Sequence, residues 1–197
     1  LYIEESYTAN KLFKAGIVMQ SGAFNAQAPT NHLRENPDTG MKEFVLAPAE
    51  ETSIGRDVVI TQNDIRQVQL AKAAIYTGCK LMLRRLNLDH PDRIKIAGAF
   101  GNHMDRASAL CIGLFPDCPL SSVSAVGNAA GDGCRAALLD RKKRIEADWI
   151  AHHVEYIELT LTEDFQQNLI EAIHIPHMSD RFDHINDMLP PSDTSPA

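Results

Sequence analysis

What the 197-residue sequence lacks narrows it first. No apolar run approaches the roughly 20 residues that a membrane helix needs, so a membrane role is not expected. Positive charge is scarce: 19 Lys and Arg stand against 26 Asp and Glu, for a formal net charge of −7. Nucleic acid is therefore not expected as the main partner, because phosphate contacts need a basic surface. The four cysteines (Cys79, Cys111, Cys118 and Cys134) form no C-x-x-C pair. That spacing argues against zinc and iron–sulfur ligation and against a disulfide framework. It reads as reduced, mostly buried thiols of a cytosolic protein. The phosphate-binding pattern G-x-x-x-x-G-K-[ST], the dinucleotide pattern G-x-G-x-x-G and the nucleophile pattern G-x-S-x-G are all missing. The opening Leu-Tyr-Ile-Glu-Glu does not read as a signal peptide.

What is present is enough for one substantial domain. Apolar residues make up 44% and charged residues 23%, which excludes disorder of the whole chain. Residues 1–15 already read as helix, with Leu1, Tyr7 or Thr8, Leu12 and Ala15 on one side and Gly16 as the C-terminal cap. A chain that opens inside a helical pattern is expected to be cut from something larger. Residues 20–40 are polar and turn-rich, a loop. Lys42–Ala47 and Arg56–Thr61 are strands that can pair as a hairpin. Thr61-Gln62-Asn63-Asp64 is a capping-box start for a helix running from about Gln62 to Leu86. Its apolar stripe is Ile65, Val68, Ile75, Cys79, Met82 and Leu86, with Lys72 inside it.

Two strand–glycine–helix units follow: strand Arg93–Ala97, the turn Gly98–Gly101 and a helix capped by Asp105 to about Leu114; then strand Val123–Val126, the turn Gly127-Asn128 and helix Ala129–Leu139. This alternation predicts α/β architecture with parallel strands. Arg141–His153 reads as an amphipathic helix with Ile145, Trp149, Ile150 and His153 inward, Val154–Leu159 as a strand, and Phe165–Ile173 as a last helix. From Pro176 onward the composition suits a mobile tail, most of all in residues 186–197.

The chemistry-bearing candidates are few. In open α/β sheets, ligands bind beyond the carboxyl ends of the strands. Gly98, Gly101 and Gly127 are placed there, and glycine lets backbone N–H groups approach a ligand closely. By spacing alone, purely structural turns would look the same. Lys72 has two readings: a stem that packs while its ammonium reaches water, or a ligand group. Asp64, Asp105 and Asp132 are explained as helix-start residues, and Asp132 can also face a ligand in its glycine-rich helix start. His174-x-x-His177 is broken by Pro176, and His152-His153 point in different directions, so no metal is expected.

The segments ITQNDIRQVQLAKAAIYTGCKLML (60–83), IKIAGAFGNHMD (94–105), IGLFPD (112–117) and SAVGNAAGDGCRAALLD (124–140) together resemble the C-terminal region of the reductive activators of corrinoid proteins. These are often described as ferredoxin-like proteins with a C-terminal domain of unknown function. The resemblance runs from about Ile60 to Pro176, and residues 1–20 resemble the preceding segment more loosely. It implies a ribonuclease-H-like lobe of the actin-like ATPase superfamily, a mixed sheet flanked by helices. The implied division is an N-terminal helix and loop in 1–41 continuing from an absent lobe, the lobe itself in 42–176, and a tail in 177–197. The implied function is an ATP-dependent, iron–sulfur-containing activator that reduces cobalt(II) corrinoid to cobalt(I) for methyl transfer.

By the same resemblance, Gly98, Ala99, Phe100 and Gly101 match the adenosine-contacting turn. Gln69 and Lys72 lie on the helix that touches ribose or adenine, and Gly127, Asn128 and Asp132 line the same pocket. The implied cofactors are ATP with Mg, shared with the absent lobe, and a [2Fe–2S] cluster in an absent N-terminal domain. The implied partner is a corrinoid protein or corrinoid-dependent methyltransferase. No catalytic residue is carried over, so this stretch by itself is expected to be inactive. The alternative is a docking or homodimerisation module with no nucleotide role. A sugar-kinase-like phosphotransferase is a third reading, weakened by the missing phosphate loops.

Overall fold

The computed structural model describes residues 2–190; the side chains of residues 2–5 and of Ala99 and Phe100 lie outside that description. Helix α1 (Tyr2–Lys14) comes first. A three-stranded antiparallel sheet follows, β1 (Leu33–Glu35), β2 (Lys42–Ala47) and β3 (Val58–Thr61), in the order β1-β2-β3. Helix α2 (Gln62–Arg85) leads to β4 (Ile94–Ile96), α3 (Ala99–His103) and α4 (Arg106–Cys111). Then come β5 (Val123–Ala125), α5 (Ala129–Leu139), α6 (Arg141–His153) and α7 (Phe165–Ala172). Strands β4 and β5 pair in parallel, as the alternation of strand and helix requires. The mixed architecture is thus two small sheets flanked by helices. No helix among the described residues is long and apolar enough to cross a membrane.

Local sequence explains most of these boundaries. The Thr61 hydroxyl accepts from the Asp64 N–H, while the Asp64 carboxylate accepts from the Thr61 N–H, a complete capping box at the start of α2. Gly16, at φ 68°, follows α1 in the left-handed conformation that ends helices. Asp105 accepts from the Ser108 N–H and starts α4.

The core corrects several sequence expectations. The inner face of α1 is Ala9, Leu12 and Phe13, which join the main core, in place of the expected side through Tyr7 or Thr8 and Ala15. The buried face of α2 is rotated from the expected stripe: Ile65, Val68, Gln69, Lys72, Ala73, Tyr76 and Thr77 are enclosed, while Ile75 and Met82 are exposed. Residues 20–40 are not all loop, because Leu33–Glu35 pairs with Lys42–Phe44 as an edge strand. Residues 154–158 form no strand: the alternation of VEYIEL is not paired with any strand among the described residues. Ile145, Trp149, Ile150 and His153 do not point inward, since no residue of α6 is buried.

The segment after Pro176 is not left free. Phe182 and Ile185 are in the core, and residues 183–188 form a short 3₁₀ helix. Composition alone concealed this, because two apolar side chains among Asp, Ser and His suffice to anchor a short segment. The tail expectation for residues 191–197 lies outside the described residues.

Candidate functional site

The site begins with strand register. Ile94, Lys95 and Ile96 sit opposite Val123, Ser124 and Ala125, so β4 and β5 end side by side. The Val126 N–H donates to the Ile96 carbonyl at 2.9 Å, and the Gly98 N–H donates to the Gly127 carbonyl at 2.7 Å. The two glycine bends are thereby joined edge to edge at the carboxyl ends of the strands. Both have positive φ, 91° at Gly98 and 69° at Gly127, which side chains resist. A Cβ built on either would meet nothing within 4 Å. The space in front of both bends is therefore open, and a flat group can reach the backbone there.

Helices continue from each bend. Gly98 precedes α3, which contains Ala99, Phe100 and Gly101. Gly101 is buried, and a Cβ there would lie 2.4 Å from Ile96 Cγ2 and 3.0 Å from the Ile96 carbonyl, so α3 packs directly on β4. Asn128 caps α5 by accepting from the Gly131 N–H at 3.0 Å. A Cβ at Gly131 would run into that Asn128 side chain. Asp132 is exposed in the first turn of α5, near Arg135. Five predicted residues, Gly98, Gly101, Gly127, Asn128 and Asp132, therefore gather on the two bends and the helix starts behind them; the side chains of Ala99 and Phe100 lie outside the described residues.

Gln69 and Lys72, the other two expected ligand residues, do not join them: both side chains are enclosed and donate to backbone carbonyls. Gln69 Nε2 donates to the carbonyls of Ser21 (3.0 Å) and Ile173 (2.8 Å). Lys72 Nζ donates to the His174 and Pro176 carbonyls, the latter at 2.7 Å, and the residue is 1% exposed. Burial pulls its amine down from 10.5 to about 7. Further along α2, Tyr76 Oη and Lys80 Nζ both donate to the Asp180 carboxylate, at 2.7 and 2.6 Å. Gln69, Lys72, Tyr76 and Lys80 thus form a polar seam, at spacings of three and four, that ties residues 173–180 to α2. His177 lies against it, its ring tilted at 37° to that of Tyr76 with centroids 4.8 Å apart. Its Nδ1 accepts from the N–H groups of Ser179 and Asp180. Burial pushes its imidazole down to about 4. The carbonyl and carboxylate partners of the four α2 side chains in residues 173–180 lie about a hundred residues away, so no local pattern in the sequence announced them.

The part of α2 that does approach the bends went unnoticed in the sequence. Cys79, Met82 and Leu86 line an apolar groove of about 420 Å³ with Ile96, Ala97 and Phe115, and the groove ends one residue before Gly98. Half of this signal was legible, since all three lie in the expected α2 stripe. That they flank a groove was not.

The cysteines do not converge: Cys111 and Cys118 are buried, Cys79 is half-buried and Cys134 is exposed, all four free. Burial raises the pKa of the Cys79, Cys111 and Cys118 thiols, the opposite of what a thiolate ligand needs. No group of three metal-ligating side chains occurs among the described residues. These residues do not fit an iron–sulfur cluster.

Comparison with known proteins places this geometry. Residues 7–186 match the family described as the C-terminal domain of RACo, the ASKHA domain. The chain is 37% identical over 161 residues to the corrinoid activation enzyme RamQ of Eubacterium limosum, spanning 78% of this chain and 27% of that enzyme. It superposes on a solved structure, a reductive activator for corrinoid, iron–sulfur protein, with a TM-score of 0.75 and 38% identity, over 88% of this chain and 28% of that one. The chain thus spans little more than a quarter of the length of these relatives. Its fold is that of the actin-like ASKHA domain, and the chain belongs to the family of the C-terminal ASKHA domain of the corrinoid reductive activators.

Proposed function

We propose that this domain forms the adenosine-facing wall of a nucleotide cleft in an ATP-dependent activator that reduces cobalt(II) corrinoid to cobalt(I). The observation that carries the reading is the joined pair of bends at Gly98 and Gly127, open in front and lacking side chains where a nucleotide base or ribose would approach. The apolar groove that ends at Ala97 offers a surface for a flat ring, and the first turns of α3 and α5 place backbone N–H groups behind it. On this reading Gly98, Ala99, Phe100, Gly101, Gly127, Asn128 and Asp132 hold the nucleotide side. Gln69 and Lys72 support the wall from behind through residues 173–176.

ATP with Mg supplies the driving force when bound. The groups that hold its phosphates, the iron–sulfur cluster and the electron transfer belong to other parts of such an activator. The partner is a corrinoid protein or corrinoid-dependent methyltransferase.

The test is a titration of the ¹⁵N-labelled chain with ATP and with ADP, followed by amide chemical shifts. The largest changes are expected at Gly98, Gly101, Gly127 and Asn128. Changes centred away from the two bends, or no change at millimolar nucleotide, would remove the nucleotide role of this wall and leave the docking reading.

A further inference from the structure

Strands β4 and β5 form a sheet of only two strands among the described residues, and its two edges differ. Residues of a parallel pair turn their backbone groups alternately toward the partner and away from it. The Val126 N–H donates to the Ile96 carbonyl at 2.9 Å, so Ile96 and Ile94 turn toward β5. The backbone N–H and C=O groups of Arg93 and Lys95 therefore turn away from β5, and nothing among the described residues pairs with them. The outer edge of β5 is closed: Val123 is fully buried, and its carbonyl accepts from the Arg106 guanidinium at 2.9 Å. The outer edge of β4 is open.

The apolar groove of about 420 Å³ lies against this open edge, lined by every one of residues 93–97. Side chains leave a strand on alternate faces, so a groove that touches five successive residues follows the edge rather than one face. Its far wall is α2, through Cys79, Met82 and Leu86. Ile94 and Ile96 pack against the main core yet are only partly buried. Short length and a lysine serve to blunt an edge that stays in water. An apolar groove beside the edge does the opposite, because it offers a second strand both hydrogen bonds and a seat for its side chains.

We propose that the open edge of β4 takes an added strand, an extended segment with apolar side chains at alternate positions, supplied by another part of the activator polypeptide. The source of the strand rests on the function proposed above. The relatives have chain enough to supply it, since the match spans 27% of one and 28% of the other. The strand seals the groove along residues 93–96 and leaves its end at Ala97, beside Gly98, to the flat ring. Added in the direction of β4, it ends level with the two bends, so this edge joins the wall to the rest of the nucleotide cleft. Two other occupants fit less well. A second copy would pair β4 with itself across a two-fold axis, which sets the Arg93 and Lys95 cations of the two copies against one another. A nucleotide ring covers only part of the roughly 13 Å that residues 93–97 extend, and leaves the outward groups of Arg93 and Lys95 unpaired.

The test is amide hydrogen exchange, measured in this chain and in intact RamQ, the relative 37% identical to it. In this chain the Lys95 amide is expected to exchange about a hundredfold faster than that of Ile96, which faces β5. In intact RamQ the two matching positions are expected to be equally protected. Lys95→Pro removes only an outward N–H, so in this chain the urea midpoint is expected to stay at the parent's value, whereas proline at the matching position of RamQ is expected to lower its midpoint. A position matching Lys95 that exchanges as fast in RamQ as in this chain overturns the proposal. If ATP still shifts the amides of Gly98 and Gly127, the nucleotide wall stands without it. Slow Lys95 exchange in the dilute chain alone means that the edge is already paired, and overturns it too. Protection of Lys95 that rises with the concentration of this chain assigns the edge to a second copy, and protection that appears only with ATP assigns the groove to the nucleotide; both overturn it. Protection in RamQ, with no ATP-induced shift at the bends of this chain, upholds the added strand and removes the nucleotide reading.

Discussion

The Gly98 N–H donates to the Gly127 carbonyl at 2.7 Å, tying together two bends that lie about thirty residues apart in sequence. Both residues need a conformation that side chains resist. Gly98→Ala and Gly127→Ala are each expected to destabilise by about 1–2 kcal/mol. Gly133→Ala is the contrast: that glycine sits inside α5 with open space around it and ordinary helical φ, so alanine is expected to stabilise by about 0.5–1 kcal/mol. Urea unfolding of the three variants checks the opposite signs.

Gly101→Ala tests how closely α3 lies on β4. The new methyl would sit 2.4 Å from Ile96 Cγ2. The variant is expected to lose about 1–3 kcal/mol. Ile96→Ala removes the obstructing methyl, and the double variant is expected to be more stable than the two single losses added together. Strict additivity in the cycle would mean the two residues are not in contact.

Lys72 makes stability depend on pH on the alkaline side. Its folded amine titrates near 7, against 10.5 when exposed. Below pH 7 both states hold the proton and the burial penalty is fully present. Between about 7 and 10.5 the unfolded chain binds more protons, so stability rises with pH across that window. Lys72→Met keeps the packing volume and is expected to flatten this limb in a series of unfolding midpoints.

His177 acts on the acid side. Its folded imidazole titrates near 4 against 6.5 when exposed, so the unfolded chain takes up the proton first as pH falls. Stability is expected to drop by on the order of 2–3 kcal/mol between pH 6.5 and 4. Hydrogen bonds from Lys80 and Tyr76 outweigh burial and hold the neighbouring Asp180 carboxyl below its ordinary value, so its own loss lies lower still. His177→Asn retains an acceptor for the Ser179 and Asp180 N–H groups. In it the step between pH 6.5 and 4 is expected to disappear from thermal melts.

Local features were written in the sequence because their causes are local. The capping box Thr61–Asp64, the cap at Asp105, the bounds of α5 and α6, and the glycines after β4 and β5 each depend on a few neighbouring residues. The parallel alternation was equally legible, since strand and helix at that spacing leave few topologies. The identity of the family was legible too, from four motifs in order. Tertiary structure alone decided the rest. Lys72 and Gln69 became enclosed supports because carbonyls of residues 173–176, about a hundred positions away, came within reach of their donors. Residues 177–190 were fixed because Phe182 and Ile185 found room in a core built by α1, α2 and α4. Trp149 and Ile145 stayed outside because α6 packs chiefly on α5, and an amphipathic pattern does not say whether the partner of its apolar face is in the same fold.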